Sequence, residues 1–345
     1  MMTISSLFKK IFFGTCVAVL LALVLLCNFS SYFTEQWKGN MFKQIAYKKS
    51  NKFPAPVLMP HQPLAGVLLS VNFNHPFYSV IPLLKEYYEP VFEKIIFCGP
   101  EKSSEFNVVV IEGSRGHYGY MCIAEAIKKY PNYLGYLYVN DDMVVNWWTL
   151  VQKPRDRIWY GKDIINEAGA NMDMPAPCCW HWWNDVGALE NCRKAFDALN
   201  STSSWKEKKH FEIYSNNTGG IRLCVRAWSD FMYIPQRLAQ SYLTFSESFY
   251  RYQVFLEVAV STILLMLDAK NKIVNLDGAY LPDIYGDIDF SDGNIFADNY
   301  DTKRSFYHPV KLSVEGRALS LFKNTIMRNS IQCVKNLARN ATLIC

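Results

Sequence analysis

Charged residues are scarce in this chain. They make up 19% of its 345 residues, whereas soluble domains usually have about a quarter. Half of the residues are hydrophobic and 15% are aromatic, which excludes a disordered, solvating protein and leaves ample material for a core. The chain also lacks a long basic run, and Lys plus Arg exceed Asp plus Glu by only 36 to 31. Nucleic-acid-binding proteins usually carry a basic face, so we expect no nucleic-acid partner.

Long hydrophobic runs are few, and a single one is long enough to cross a membrane. Residues 11–29, IFFGTCVAVLLALVLLCNF, are nearly free of polar side chains. As a helix they would extend about 28 Å, enough to span a bilayer core. A cleaved signal peptide fits less well, because its apolar region would normally have about 7–15 residues and end at small residues. The sequence therefore predicts an uncleaved N-terminal transmembrane anchor in the lipid bilayer.

The rest of the chain divides around this anchor. A second apolar run, Val254–Leu267, is too short to span a membrane and contains Glu257, so it predicts a buried core helix. Residues 30–65 have scattered lysines, four prolines and weak periodicity, which are typical of a stem. We predict a cytosolic tail at 1–10, the anchor, this stem and a body at 66–345.

Glycosylation sequons and cysteines indicate where the body lies. Acceptor triplets begin at Asn200, Asn216 and Asn340, and eight of the ten cysteines follow the anchor. Both features suit an oxidising lumen, and the cysteines predict disulfides whose pairing stays open. Two lysines before the anchor favour a cytosolic N-terminus, although other lysines follow it. The expected location is the Golgi or ER membrane, single-pass type II, with the body in the lumen.

Short apolar runs alternate with helical segments beyond residue 66. The runs of strand length are Gly66–Val71, Lys94–Cys98, Asn107–Ile111 and Leu134–Val139. Segments with helical periodicity are Tyr78–Tyr88 and Gly116–Tyr130. This alternation predicts an α/β fold with a mostly parallel central sheet and helices on both faces. Ligands bind such sheets beyond the carboxyl ends of the strands.

Two adjacent carboxylates, Asp141 and Asp142, follow the last of these strands, where a ligand crevice is expected. Like charges this close repel one another, so the pair is more stable beside a cation. Oxygen ligands suit Mn²⁺ or Mg²⁺, and such an ion neutralises a diphosphate. The dipeptide alone also fits an ordinary turn or a helix N-cap.

The order strand–helix–strand–strand–helix–strand, ending in Asn140-Asp141-Asp142, resembles the nucleotide-sugar half of the glycosyltransferase-A fold of nucleotide-diphospho-sugar transferases. The triplet resembles that fold's Asp-X-Asp motif, in which the last carboxylate holds a divalent metal on the donor diphosphate. An anchor followed by a stem is similar to Golgi glycosyltransferases. The resemblance is good over residues 66–150 and loose over residues 151–345. It implies that residues 151–345 form the half of the enzyme that binds the acceptor. One departure is Asn140, where the motif has Asp.

The resemblance implies a metal site and a donor site. Mn²⁺ or Mg²⁺ would be held by Asp142, Asp141 and His308. The nucleotide-sugar donor would contact Asn72, Asn74, Glu101, Arg115, Asn140, Asp141 and Lys311. Read without the resemblance, these positions also fit ordinary turn residues, a surface arginine and a structural histidine.

Two carboxylates are candidate catalytic bases. Glu257 interrupts an apolar helix, and since an unpaired buried carboxylate is costly, it must be paired or face a cleft. The position of Glu257 resembles that of the acidic residue that deprotonates the acceptor hydroxyl in inverting members of the fold. The alternative is a structural role, in which Glu257 forms a salt bridge to Arg251 or another cation. Asp185 ends the segment 178–185, whose three tryptophans either stack on sugars or pack in a core. Residues 215–220 predict a flexible turn beside the acceptor groove.

Together these features predict a metal-dependent glycosyltransferase that moves a sugar from a nucleotide-sugar donor to a hydroxyl of a glycan or glycoprotein. A non-catalytic, lectin-like or chaperone relative of the same fold is the alternative, kept open by Asn140. A nucleotidyltransferase is a third possibility, but such enzymes usually have a glycine-rich phosphate loop after the first strand. Residues 71–76 contain no glycine.

Overall fold

A computed structural model describes residues 62–161, 188–202, 205–220, 224–281 and 294–338. All of these residues lie in one unit, Ala55–Cys345. The predicted anchor and most of the predicted stem lie outside the described residues. So do the segment 178–185, with Asp185, and the sequon at Asn340.

The first part of the body has the predicted order of strands and helices. Its elements are β1 (Val67–Asn72), α1 (Ile81–Tyr88), β2 (Lys94–Gly99), β3 (Val108–Val110), α2 (Met121–Lys129) and β4 (Gly135–Asn140). Short 3₁₀ turns, Tyr78–Val80 and Ser114–Gly116, precede the two helices. The apolar runs form strands because they can be buried on both faces, as the fully buried β1 and β4 are.

The second part contributes strands to two sheets and most of the helices. Its strands are β5 (Val144–Val145), β6 (Ile158–Tyr160), β7 (Phe231–Pro235), β8 (Ile273–Asn275), β9 (Gly278–Tyr280) and β10 (Phe306–His308). Its helices are α3 (Ala188–Thr202), α4 (Trp205–Thr218), α5 (Gln236–Arg251), α6 (Leu256–Leu267), α7 (Asn294–Asn299), α8 (Arg317–Leu321) and α9 (Met327–Ala338).

Within the described residues, seven strands form the large sheet, in the order β3-β2-β1-β4-β7-β6-β8. All neighbouring pairs are parallel except those of β7, which runs antiparallel to both β4 and β6. A small sheet has the order β5-β10-β9. The prediction of an α/β fold with a mostly parallel sheet is confirmed.

The alternation of side chains along each strand divides the core into two parts, one on each face of the large sheet. On β4, Tyr136 and Tyr138 belong to one core, whereas Leu137 and Val139 belong to the other. Helices α2, α5 and α6 cover the first face, and α1 and the C-terminal helices cover the second. Helices therefore lie on both faces, as the alternating pattern predicts.

Helix α6 is the buried core helix that its apolar run predicts. All of its residues are buried, including Glu257 in the first turn. Within the part of the chain that the structure describes, no helix combines the length and apolar character needed to cross a membrane. Residues 11–29 lie outside that part.

Two disulfide bonds connect described cysteines, Cys98–Cys122 and Cys192–Cys224. The first joins β2 to α2, and the second joins α3 to the segment before β7. Disulfides were expected from the cysteine supply, and these pairs confirm them. The pairing itself depends on which strand ends and helices become neighbours in the fold.

The prediction of a turn at residues 215–220 is wrong for most of that segment. Ser215 to Thr218 form the last turn of α4. Gly219 and Gly220 follow it with φ of 66° and 88°, so the helix ends at the first residues that adopt the left-handed region without strain. The sequon residue Asn216 is exposed on this helix.

Candidate functional site

A cavity lies where β1 and β4 end. The strands are parallel neighbours with Asn72 opposite Asn140, so the polar residues that follow both strands meet at one sheet edge. The cavity has a volume of about 370 Å³, within the usual range for small-molecule sites. The sequence-predicted residues that line it are Asn74, Arg115, Asn140, Asp142, Glu257, His308 and Lys311.

Cavities of similar size occur elsewhere among the described residues, but they differ in chemistry. One of about 360 Å³ lies beside α1 and β2, and another of about 380 Å³ lies beside β3 and α2. Their acidic residues are exposed or half-buried. The cavity at the ends of β1 and β4 brings several buried carboxylates together with a histidine, and this distinguishes it as the candidate site.

The carboxylate of Asp142 lies between two cationic side chains. One of its oxygens forms an ion pair with Lys311 Nζ, and the other lies 3.4 Å from His308 Nε2. Burial opposes ionisation of Asp142, but His308 and Lys311 outweigh burial and hold its pKa below the ordinary value. Asp142 therefore brings a negative charge to the cavity at neutral pH.

The small sheet positions His308 and Lys311 against the acidic motif. Strand β10, which ends at His308, pairs antiparallel with β5, and β5 begins two residues after Asp142. Just beyond β10, the Val310 N–H donates a 2.6 Å hydrogen bond to the Asp142 carbonyl. Main-chain hydrogen bonding thus brings together residues that are far apart in the sequence.

Asp230 also lies in the cavity, and the sequence analysis missed it. It immediately precedes β7, whose antiparallel pairing places Phe231 opposite Val139 near the end of β4. One Asp230 oxygen lies 3.4 Å from His308 Nε2. The available signal was a carboxylate next to an apolar strand, but placing it required knowing that β7 runs opposite to β4.

Neighbouring charges shift the pKa values of the other site residues. Burial lowers the pKa of His308, but the carboxylates of Asp230 and Asp142 outweigh burial and raise it above the ordinary value. Burial likewise opposes the charge on Lys311, and Asp142 more than offsets it, so the pKa of Lys311 is raised. Burial raises the pKa of Asp230, and His308 opposes that shift only in part. The carboxylates thus draw positive charge into the cavity.

The side chain of Asn140 lines the cavity and hydrogen-bonds to several of its neighbours. Its Oδ1 accepts a 2.7 Å hydrogen bond from the Tyr138 hydroxyl and a longer one, 3.4 Å, from Asn72 Nδ2. Its Nδ2 donates to Asp230 Oδ1 at 2.5 Å. Asn140 therefore uses both ends of its amide to hold neighbouring groups, including the Asp230 carboxylate.

Asp141 and Asn72 lie next to the cavity without lining it. The Asp141 N–H donates to the Asn72 carbonyl at 2.8 Å, and one Asp141 carboxylate oxygen accepts from the Asn74 N–H at 3.3 Å. Burial and the neighbouring charge of Asp142 raise the pKa of Asp141 to about 7. These contacts fasten the end of β1 to the acidic motif and orient Asn74, which does line the cavity.

Arg115 lines the cavity from a strained turn. The backbone φ angle is 56° at Arg115 and 77° at Gly116. The Arg115 N–H donates to the Asn74 carbonyl at 2.9 Å. The predicted start of a helix at Gly116 is wrong, because these left-handed residues cannot begin one and α2 begins at Met121. A helix N-terminus therefore does not adjoin Arg115, and the arginine enters the cavity from a loop.

Glu257 lies in the cavity wall, in the first turn of α6. A carboxylate in a first helical turn is stabilised by the unpaired N–H groups and the positive end of the helix dipole. The helix start is fixed to the loop after Arg115, because the Leu256 N–H donates to the His117 carbonyl at 2.8 Å. A residue from the second half of the chain thus completes the cavity formed by the first half.

The remaining predicted site residues lie elsewhere. Glu101 is exposed and does not line this cavity, and its main chain exchanges hydrogen bonds with the Tyr78 hydroxyl. Asp185 lies outside the described residues. The sequon residue Asn200 is exposed on α3.

Comparison with known proteins gives one informative match. Over 233 residues the chain is 22% identical to the protein named "Probable glycosyltransferase STELLO1" from Arabidopsis thaliana. The chain is thus similar to a protein that is named as a probable glycosyltransferase. The match covers 66% of this chain and 27% of the relative, so the chain spans about a quarter of that protein's length. No protein-family model and no solved structure matches the chain.

The cavity has the composition of a divalent-cation site. Asp142 Oδ1, Asp230 Oδ2 and His308 Nδ1 are buried and form no hydrogen bond with the described residues, although Asp142 Oδ1 lies 3.4 Å from His308 Nε2. Carboxylate oxygen and imidazole nitrogen are ligands that suit Mn²⁺, and unpartnered buried carboxylate oxygens are costly without a cation. Among the described residues, no three His, Cys, Asp or Glu side chains already have the arrangement of a metal site. The residues therefore fit a cation by the charge of their carboxylates and by their unpartnered atoms, and not by a preformed coordination geometry.

Proposed function

We propose that this chain is a metal-dependent glycosyltransferase that moves a sugar from a nucleotide-sugar donor to a hydroxyl of a glycan or glycoprotein. The observation that carries the proposal is the convergence of Asp142, His308, Lys311 and Glu257 on one cavity at the carboxyl ends of parallel strands. The similarity to a protein named as a glycosyltransferase supports the same reaction class.

The donor diphosphate is proposed to contact Arg115 and Lys311. Both side chains line the cavity, and their positive charges suit phosphate oxygens. Asp142 and His308 are the residues that would hold the cation. A bound Mn²⁺ or Mg²⁺ supplies charge neutralisation for the departing diphosphate. Asn74 would position the nucleoside from the end of β1.

Glu257 is proposed as the base for an inverting transfer. The acceptor hydroxyl oxygen forms a bond to the anomeric carbon as the bond from that carbon to the diphosphate oxygen breaks. The hydroxyl proton passes to the Glu257 carboxylate, and the nucleoside diphosphate leaves with the electron pair of the broken bond. Glu257 lines the same cavity as the residues proposed for the donor, which supports this role.

A screen of nucleotide sugars tests the proposed function. The purified chain with Mn²⁺ should hydrolyse or transfer one member of a panel, EDTA should abolish that activity, and Mn²⁺ should restore it. A metal-dependent transferase loses several kcal/mol of charge stabilisation without its ion, which corresponds to a rate loss of about 10³-fold or more. Saturable binding of a glycan without turnover of any donor would instead support the lectin-like alternative.

We further propose that the body lies in the lumen of the Golgi or ER behind a type II anchor. The exposed sequon residues Asn200 and Asn216 and the two disulfides support an oxidising, glycosylating compartment. Endoglycosidase treatment of the chain from cells should increase its gel mobility, because attached glycans would be removed. An unchanged mobility, together with digestion by protease added outside sealed microsomes, would place the body in the cytosol.

A further inference from the structure

The acidic motif has an amide, Asn140, at the position where the Asp-X-Asp pattern has a carboxylate. Asn140 Nδ2 donates a 2.5 Å hydrogen bond to Asp230 Oδ1, and both side chains are buried. A carboxylate at position 140 would lie against the Asp230 carboxylate, and two buried like charges in contact repel strongly or take up a shared proton, which costs the site a negative charge. The amide is therefore the residue that fits beside Asp230.

We propose that Asp230 supplies the carboxylate that the motif lacks at position 140, so that Asp142, Asp230 and His308 together hold the divalent cation and Asn140 positions Asp230. This inference rests on the proposed function for the identity of the site. It assigns a ligand that lies about 90 residues from the acidic motif and follows no recognisable sequence pattern.

Two distances from His308 are close to the spacing of adjacent metal ligands, although the three side chains do not already have the arrangement of a metal site. His308 Nε2 lies 3.4 Å from Asp142 Oδ1 and 3.4 Å from Asp230 Oδ1, the oxygen that also accepts from Asn140. Adjacent ligands of an octahedral ion with bonds of about 2.1 Å are about 3.0 Å apart, so small adjustments would suffice. Asp230 Oδ2 is buried without a hydrogen-bond partner among the described residues, although Asp230 lines the cavity. A structural carboxylate would normally have both oxygens satisfied.

The charges of the buried site residues also favour a bound cation. Asp142 and Asp230 bring two negative charges to a buried site, and Lys311, whose side chain is 44% exposed, pairs with Asp142 alone. Asp230 Oδ1 contacts the neutral amide of Asn140 and the imidazole of His308. The imidazole of His308 contacts both carboxylates, and a divalent cation bound by all three side chains would place two positive charges between them.

Direct Mn²⁺ binding tests the assignment without any donor or acceptor. The full chain is titrated with Mn²⁺ alone, and free Mn²⁺ is followed by electron paramagnetic resonance. Asp230→Asn keeps a hydrogen-bond acceptor for Asn140 and removes the charge, so its affinity should fall about 100-fold or more, since even residues that only orient a ligand change affinity 10–100-fold. The exposed Asp156 provides the matched control, and Asp156→Asn should bind as the wild type does.

A second variant tests whether Asn140 positions Asp230, again by Mn²⁺ binding. Asn140→Ala removes the hydrogen bond to Asp230 and should weaken Mn²⁺ binding about 10–100-fold. Melting in EDTA, measured on all variants, separates a local effect on the site from unfolding. If Asp230→Asn fails to fold, Asp230→Glu retains the charge and moves the carboxylate by one methylene, and it too should bind Mn²⁺ more weakly.

Each outcome decides the assignment. Wild-type affinity in a folded Asp230 variant would make Asp230 structural and overturn the inference, while the donor screen still decides the proposed function. A wild-type chain that binds no Mn²⁺ would also overturn it. Loss of Mn²⁺ affinity in the Asp230 variants supports the site even if no nucleotide sugar turns over, in which case only the transferase proposal fails.

Discussion

Asp142→Asn should abolish sugar transfer, with a fall in turnover of about 10³-fold or more. The substitution keeps the volume of the side chain but removes the charge that faces His308 and Lys311. If Asp142 holds the cation that neutralises the diphosphate, its loss removes several kcal/mol of transition-state stabilisation, at about 1.4 kcal/mol per tenfold in rate. Initial rates at saturating Mn²⁺ and donor measure the effect.

Stability measurements keep this result interpretable. Breaking a fully buried ion pair is strongly destabilising, but the side chain of Lys311 is 44% exposed, so its ammonium can be hydrated once Asp142 is neutral. We therefore expect only a modest decrease in melting temperature. Asp156→Asn, at an exposed position, is the control for a generic loss of one carboxylate. An Asp142→Asn variant that transfers sugar at the wild-type rate would remove Asp142 from the metal site.

Glu257→Gln should lower transfer by a factor on the order of 10²–10⁴ while leaving donor affinity unchanged. The amide preserves the shape of the side chain but does not accept the acceptor proton. Glu257 lies at the start of α6, whereas the residues proposed for the donor come from the segment after β1, the loop before α2 and the segment after β10. Turnover, donor affinity and melting temperature should be measured on the same preparation.

A structural role for Glu257 predicts a different pattern. Removing one partner of a buried pair costs about 3–5 kcal/mol, so the variant would melt early and turn over normally while folded. That result would assign Glu257 to structure and move the search for a base to Asp185. Glu86→Gln, on the exposed face of α1, is the control for the chemical change alone.

The local pattern of the sequence was enough to predict the elements of the first half of the body. Apolar runs predicted β1 to β4, and helical spacing predicted α1 and α2, because periodicity records which face of each element is buried. The errors fell at the ends of helices. Gly116 begins no helix because its neighbour Arg115 shares its left-handed backbone, and residues 215–218 continue α4 rather than form a turn.

Part of the candidate site also followed from the sequence. Parallel strands end at the same sheet edge, so the position of Asp142 directly after β4 placed it beside the residues that follow β1. Glu257 could be predicted as a candidate site residue because a carboxylate within an apolar helix has to be paired or face a cleft. Both expectations depend only on local pattern and on the general geometry of α/β sheets.

The rest of the site was decided by tertiary structure. Asp230 reaches the cavity because β7 runs antiparallel to β4, and His308 and Lys311 reach Asp142 because β10 pairs with β5. Strand direction and pairing between distant segments depend on the packing of the whole chain, and a short stretch of sequence does not encode them. The sequence by itself determined which residues could carry chemistry at the end of β4, whereas only the tertiary structure decided which distant side chains share their cavity.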